Sequence, residues 1–149
     1  MMPAFEMRHV ISFEETNVVG NVYYANHIRW QGRCRELFLH QHAPEILAEL
    51  DRGLALVTLR VSCEYLAELV AFDELVIRMT LADLSPHRMS LRFDYWKRGP
   101  ELEGQLEETK VAHGSQDLAC MRRRGEKLEP EPWPDFLREA LAPYLEGAA

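Results

Sequence analysis

The run Glu14-Glu-Thr-Asn-Val-Val-Gly-Asn-Val-Tyr-Tyr-Ala-Asn-His-Ile-Arg-Trp-Gln-Gly-Arg-Cys-Arg-Glu-Leu-Phe-Leu39 decides the fold. It opens on a polar turn, Glu14 to Asn17, that follows an apolar run. Gly20 permits a tight backbone approach. A helical pattern then begins near Asn21 or Val22 and lasts to about His40. Asn17, with Asn21 as the weaker alternative, is placed to cap it by accepting a hydrogen bond from a free backbone N–H. At about 100° per residue, Tyr23, His27, Trp30, Cys34, Leu37 and Phe38 share one face. Arg29, Arg33, Glu36 and His40 share another, and Tyr24, Ile28, Gln31 and Arg35 form a strip between them. Little is left for solvent, so the pattern predicts a helix wrapped by a sheet rather than one lying on a surface. The start of such a helix carries unpaired N–H groups and a partial positive charge. It can therefore hold a developing oxyanion, while a polar side chain just before it orients a water.

Outward from this run the pattern is mostly strand. Met1 to Pro3 reads as a loose tail, and imperfect alternation from Phe5 to Phe13 reads as a strand. Past the helix, Pro44 disfavours helical backbone at Ala43. Glu45 to Asp51 adds one or two helical turns, ended by Gly53. Strands are then predicted over Leu54 to Tyr65, Glu74 to Ala82, Arg88 to Lys97 and Gln105 to Arg123. Turns fall at Ala71-Phe72-Asp73, at Ser85-Pro86 and at Arg98-Gly99-Pro100, and Gly114 marks a candidate interruption of the last strand. Gly125 to Pro134 is turn-rich, and Asp135 to Leu145 reads as a short amphipathic helix. Consecutive antiparallel strands need one covered face, and the only long helix must cover it. The expectation is an α+β fold, a curved antiparallel sheet wrapped around a long central helix, in one domain spanning residues 1–149.

Composition narrows the function. Hydrophobic content of 47% and charged content of 28% are those of an ordinary soluble domain. A net charge of −7 argues against nonspecific nucleic-acid binding, and Arg122-Arg123-Arg124 is too short to reverse it. No apolar run approaches the roughly 18 residues of a membrane span, and the N-terminus lacks a signal-peptide pattern. Cys34, Cys63 and Cys120 are odd in number and far apart, as reduced cytoplasmic thiols are. No CxxC, HExxH or P-loop occurs, so neither a zinc nor a nucleotide site is supported.

The order of elements, and the stretch from Glu15 to Trp30, resemble the hot-dog fold acyl-thioesterases of the 4-hydroxybenzoyl-CoA thioesterase type. Their pattern is Asp-x-Asp, two residues, Gly, x, Val, two aromatic or His residues, then a helix with Trp or Phe. Here Asn17 stands at the second Asp position. The continuation from Gln31 to Leu39 is similar to the enediyne polyketide thioesterases, which share this Asn and an Arg in the helix. The resemblance implies a hydrolase that releases a polyene or β-keto acyl chain from the acyl carrier protein of an iterative polyketide synthase. Its substrate is then a phosphopantetheine-linked acyl group. The resemblance also implies a homodimer with a continuous sheet, often paired into a homotetramer, with active sites between subunits and no cofactor or metal. Two alternatives stay open: a general acyl-CoA thioesterase, and a non-catalytic acyl-binding hot-dog protein.

Chemistry at the implied site starts from Asn17. A carboxylate there would attack the thioester or deprotonate water; an amide does neither. Asn17 instead holds a water by its carbonyl oxygen or binds substrate by its NH2. Thioesters are reactive enough that positioning plus oxyanion stabilisation suffices. The backbone N–H groups of Tyr23 and Tyr24 are the candidate oxyanion donors. The resemblance carries a functional arginine onto Arg35, whose bland reading is a surface or interface arginine paired with Glu36 or a partner carboxylate. Arg35 lies about 16 Å along the helix from Tyr24, too far to share one carbonyl. It is expected to reach across a dimer interface or to contact a distant β-keto or carboxylate group. His27, Trp30 and Gln31 are candidate substrate-binding residues. The bland readings are a hydrogen-bonded core histidine for His27 and packing for Tyr23, Tyr24 and Trp30. Glu14 and Glu15 read as solvated turn residues, with a stand-in base as the rival. Cys34 reads as packing, because Arg33 and Arg35 point away from it. His87 and His113 have no evident partners. Arg122 to Arg124 read as a solvated strand end, or as a contact for phosphopantetheine or an acidic carrier.

Overall fold

A computed structural model describes residues 3–147. Of the expected tail, Met1 and Met2 lie outside the described residues. The elements run β1 (Phe5–Val10), a 3-10 turn (Phe13–Glu15), α1 (Ala25–His42), α2 (Ile46–Asp51), β2 (Leu54–Tyr65), β3 (Glu74–Leu84), β4 (Arg88–Leu102), β5 (Gln105–Arg124), β6 (Lys127–Pro130) and α3 (Asp135–Leu141). All strand pairs are antiparallel, in the spatial order β1-β3-β4-β5-β2, and β6 pairs with the end of β5. The sheet curls as a half-barrel around α1, the hot-dog architecture. Register shifts in β2, β3 and β4 help it curl, since each bulge bends its strand.

The core follows from the two periodicities. Met89, Leu91, Phe93 and Tyr95 alternate inward along β4, and Leu75, Ile77, Met79 and Leu81 do so along β3. They meet Trp30, Cys34 and Phe38, spaced four apart on α1. The opposite face of α1 is not covered within the chain. Arg29, Arg33, Glu36 and His40 are exposed, so the sheet wraps one side of the helix rather than all of it.

Several boundaries differ from the sequence reading. The long helix starts at Ala25, not near Asn21, because the backbone of residues 21–23 is engaged in extended pairing. Val22 N–H donates to Leu69 O at 2.8 Å, and isolated bridges join Thr16 to Val22 and Asn21 to Val70. Neither Asn17 nor Asn21 caps α1; Tyr24 occupies the cap position without a side-chain cap bond. β4 continues through Gly99-Pro100, since Pro100 falls in a register shift between Arg98 and Glu101, where a missing N–H costs no ladder bond. The chain reverses instead at Glu103-Gly104, both in the left-handed region. β5 is unbroken at Gly114. The turn-rich segment contributes β6, and α3 stops at Leu141, with Pro143 inside a following 3-10 turn. Among the described residues no helix is long and apolar enough to cross a membrane.

Candidate functional site

Glu15 ties the site loop to α1. Its Oε1 accepts hydrogen bonds from the Ser12 N–H at 3.0 Å and the Ser12 hydroxyl at 3.2 Å. Trp30 Nε1 donates to Oε2 at 2.8 Å, and His9 Nε2 lies 2.7 Å from Oε1. The Glu15 carbonyl accepts from Tyr23 N–H at 3.0 Å and from Asn26 Nδ2 at 2.7 Å. Burial raises the Glu15 pKa, but the bonds from Ser12, His9 and Trp30 outweigh it and hold the carboxyl below its ordinary value. Glu15 is therefore an anchored hub, not the solvated turn residue that its sequence context suggests. Glu14 is exposed. It helps line a polar cavity of about 690 Å³ with His9, Asn26, Arg29, Trp30 and Arg33.

The next turn carries Asn17. Its Oδ1 accepts from the Val19 N–H at 3.0 Å, an Asx turn, and its backbone N–H donates to Asn21 O at 2.8 Å. Gly20, with φ of 95°, closes this turn in a conformation that disfavours a side chain. Asn17 is exposed, and its bonded oxygen leaves the NH2 group as its free end.

Beyond the turn the chain enters α1. The Tyr23 N–H is engaged by Glu15, which removes it as an oxyanion donor. The Tyr24 N–H has no acceptor among the described residues, at the positive end of an 18-residue helix. Both tyrosine rings are largely exposed and lie against each other at 4.7 Å, so they do not pack in the core as expected. Trp30 does. A cavity of about 330 Å³ opens at this helix start, lined by Asn21, Tyr24, His27, Tyr65, Glu68 and Leu69 among others.

Two residues of that lining carry polar atoms buried without a partner. His27 is 4% exposed, and neither ring nitrogen has a hydrogen-bond partner. Its ring sits among Trp30, Tyr65 and Tyr95 at 4.7–5.5 Å. Burial pulls its pKa down to about 4, so it is neutral at pH 7. The expected hydrogen-bonded core histidine is thus buried but unbonded. The second group is Asn21, which the sequence reading treated only as a weak cap. Its Nδ2 donates to Glu68 Oε1 at 3.2 Å, which turns Oδ1 inward, buried and without a donor.

Arg35 lies away from this cavity. Its Nη1 donates to Gln116 Oε1 at 2.9 Å, and its Nε is buried without a partner. No ion pair to Glu36 forms. The guanidinium borders a narrow apolar void with Phe38, Met79, Met89, Leu118 and Trp133. That void has about 20 Å³ free, room for little more than one water. Burial lowers the Arg35 pKa, with the nearby Glu36 charge opposing. Gln31 is fully buried and both ends of its amide are bonded, so it faces substrate in neither cavity. Gln116, its partner, was legible as an anomaly: it falls in phase with the buried Ala112, Gly114, Leu118 and Cys120 of β5.

The remaining candidates resolve as structural. Cys34 is fully buried, and burial pushes its thiol up to about 12, far from a nucleophile's range. His113 pairs with Glu64 at 3.2 Å. Arg122 is not a solvated strand end: it bonds Glu131 at 2.6 Å and Glu49 at 3.0 Å, while Arg124 lies beside Glu129 and Glu131.

Comparisons with known proteins agree with this fold. The model of the thioesterase-like superfamily matches residues 11–141. The dynemicin thioesterase, whose crystal structures are described as revealing induced-fit and allosteric effects upon polyene binding, is 47% identical. The match covers 98% of this chain and 100% of that one, with a TM-score of 0.89. A curated relative from Aquifex aeolicus (strain VF5), given a provisional esterase name, is 31% identical over 91 residues. That is 61% of this chain and 70% of its own length. The 4-hydroxybenzoyl-CoA thioesterase of Pseudomonas sp. strain CBS-3 is 16% identical and shares the fold at a TM-score of 0.73, over 91% of this chain and 97% of its own. A family match over most of the chain, on a hot-dog sheet with an open helix N-terminus at its cavity, settles the class: this protein belongs to the thioesterase-like superfamily and is a thioester hydrolase.

Proposed function

We propose that this enzyme releases a polyene or β-keto polyketide chain from the acyl carrier protein of an iterative polyketide synthase in enediyne biosynthesis. It acts in the cytoplasm as a homodimer or homotetramer on a phosphopantetheine-linked acyl group. Support comes from the resemblance of residues 14–39 and from the 47% identity to a thioesterase whose structures are described with polyene binding. The observation that carries the site is the 330 Å³ cavity, where the free Tyr24 N–H meets the unpaired His27 ring and Asn21 Oδ1.

In this reading the thioester oxygen accepts from Tyr24 N–H, at the positive end of α1. The free NH2 of Asn17 is a second donor to the substrate. Asn21 Oδ1 and the neutral His27 ring orient a water in the cavity. The water oxygen forms the new C–O bond, the C–S bond breaks, and one water proton ends on the departing sulfur. Glu15 takes no direct part, since its carboxylate oxygens are engaged by Ser12, His9 and Trp30. Arg35 contacts an oxygen further along the acyl chain. An acyl chain reaching it must displace the flexible Met79 and Met89 side chains that close the void.

Removing a donor to the oxyanion typically costs about 3–4 kcal/mol of barrier. Asn17→Ala is therefore expected to lower kcat by about 100-fold or more, read as free thiol released from a carrier-bound β-ketoacyl substrate. Unchanged turnover removes Asn17 from the site. Equal kcat/KM with the CoA-bound acyl group favours a general acyl-CoA thioesterase.

A further inference from the structure

One set of buried polar side chains has no part in the hydrolysis just described. Gln31 and Gln116 are 0% and 4% exposed, and they sit between α1 and the sheet, among mostly apolar contacts. Gln31 Nε2 donates to the Ser62 carbonyl at 2.9 Å. Gln116 Nε2 donates to Gln31 Oε1 at 3.3 Å, and Arg35 Nη1 donates to Gln116 Oε1 at 2.9 Å. The direction is forced along the whole chain. A backbone carbonyl can only accept and a guanidinium can only donate, so turning either amide over would set N–H against N–H or O against O. Gly114 makes room for the chain: a Cβ there would lie 2.3 Å from Gln31 Nε2 and 2.3 Å from Ser62 O. The fold thus keeps a glycine in mid-strand and buries two amides. The one feature at the end of the chain is a guanidinium beside an apolar void.

The partner's chemistry matters as much as its position. A carboxylate at position 116 would neutralise Arg35. A neutral amide holds the guanidinium in place and adds no countercharge, so that only the nearby Glu36 offsets its burial. Nε remains without an acceptor. That is an incomplete arrangement, and it is completed by an oxygen arriving on a ligand.

We propose that Gln116, oriented by Gln31, is a positioning residue that aims the Arg35 charge at the void, and that this pair makes the enzyme select acyl chains bearing a carbonyl or carboxyl oxygen over plain hydrocarbon chains. The proposal rests on the reading of Arg35 given above. Gln116 touches no substrate; it acts only through Arg35.

The test measures kcat and KM by thiol release for a matched pair of substrates, 9-oxodecanoyl and decanoyl groups on the same phosphopantetheine thiol, the keto oxygen standing well down the chain from the thioester. The quantity read is the ratio of their kcat/KM values, which a merely structural residue does not move. Gln116→Leu removes both bonds, and Gln116→Glu keeps an acceptor while cancelling the charge. Each is expected to lower the ratio by about tenfold, the scale on which loss of a charge-assisted contact changes discrimination. Thermal melting identifies which variant is folded, and either folded variant suffices. In an Arg35→Met background, Gln116→Leu is expected to lower the ratio no further. An unchanged ratio in both folded Gln116 variants, alongside a lowered ratio in Arg35→Met, overturns the positioning role and leaves Arg35 standing. An equal loss on both substrates, or a further drop in the double variant, overturns it as well. An unchanged ratio in Arg35→Met overturns the reading of Arg35 itself, and the positioning role with it.

Discussion

At the scale of single residues, His27 shows how one neighbour decides what a side chain is. Read along the helix, it is a histidine on an aromatic face, and its burial was expected. What the linear order hides is the empty space beside it, made by Leu69 and Tyr65 from distant segments. The linkage is definite in sign. Its folded pKa of about 4 lies below the ordinary value of 6.5, so the unfolded chain binds the proton first as pH falls. Its contribution is fully present above pH 6.5 and is lost progressively as pH falls towards 4. Denaturant unfolding near pH 7 and near pH 4 measures this: His27→Phe should flatten the difference by a few kcal/mol. Equal pH dependence in both proteins contradicts the buried neutral imidazole. Asn17 was singled out by its place in the motif. Asn21 was not, because only the carboxylate of Glu68, 47 residues on, turns its carbonyl oxygen inward.

At the scale of elements, type was legible and ends were not. Strand periodicity in β4 and helical periodicity in α1 each survive folding, because both are statements about one face meeting one core. The start of α1 was misplaced by about a turn since the competing partners of Asn21 and Val22, namely Val70 and Leu69, belong to another part of the chain. β5 gives the converse case. Gly114 looks like a break, yet the strand runs through it, and the glycine answers to the Gln31 amide pressed against it. Gly114→Ala must displace a backbone carbonyl as well as that amide. A loss of about 2–3 kcal/mol in unfolding free energy is expected, measured by denaturant titration. A neutral substitution there contradicts the close approach.

At the scale of the whole molecule, two surfaces are unfinished. One is the outer edge of β2, a 12-residue strand paired only with β5, whose Leu59 and Val61 are 46% and 38% exposed. Long bare edges are normally paired or covered, which is what the proposed dimer does. If the proposed dimer shares its sites between subunits, Leu59→Lys with Val61→Lys should convert it to monomers in sedimentation at micromolar concentration, with loss of thiol release. A chain that sediments as a monomer before substitution contradicts the shared site. The other surface is the polar face of α1, which the sequence reading expected to be covered and which a single chain leaves open. The fold class was legible because element order and the 14–39 motif point the same way; the assembly was not, because no one chain contains its own partner. The far end of β4 and β5 behaves differently again. Past Lys97 the two strands pair only with each other, to a tip at Glu103-Gly104 that carries no part of the core. Chain length is unconstrained there, so that tip is where related sequences can gain or lose residues, or accept a fused label, without the helix or its cavity registering the change.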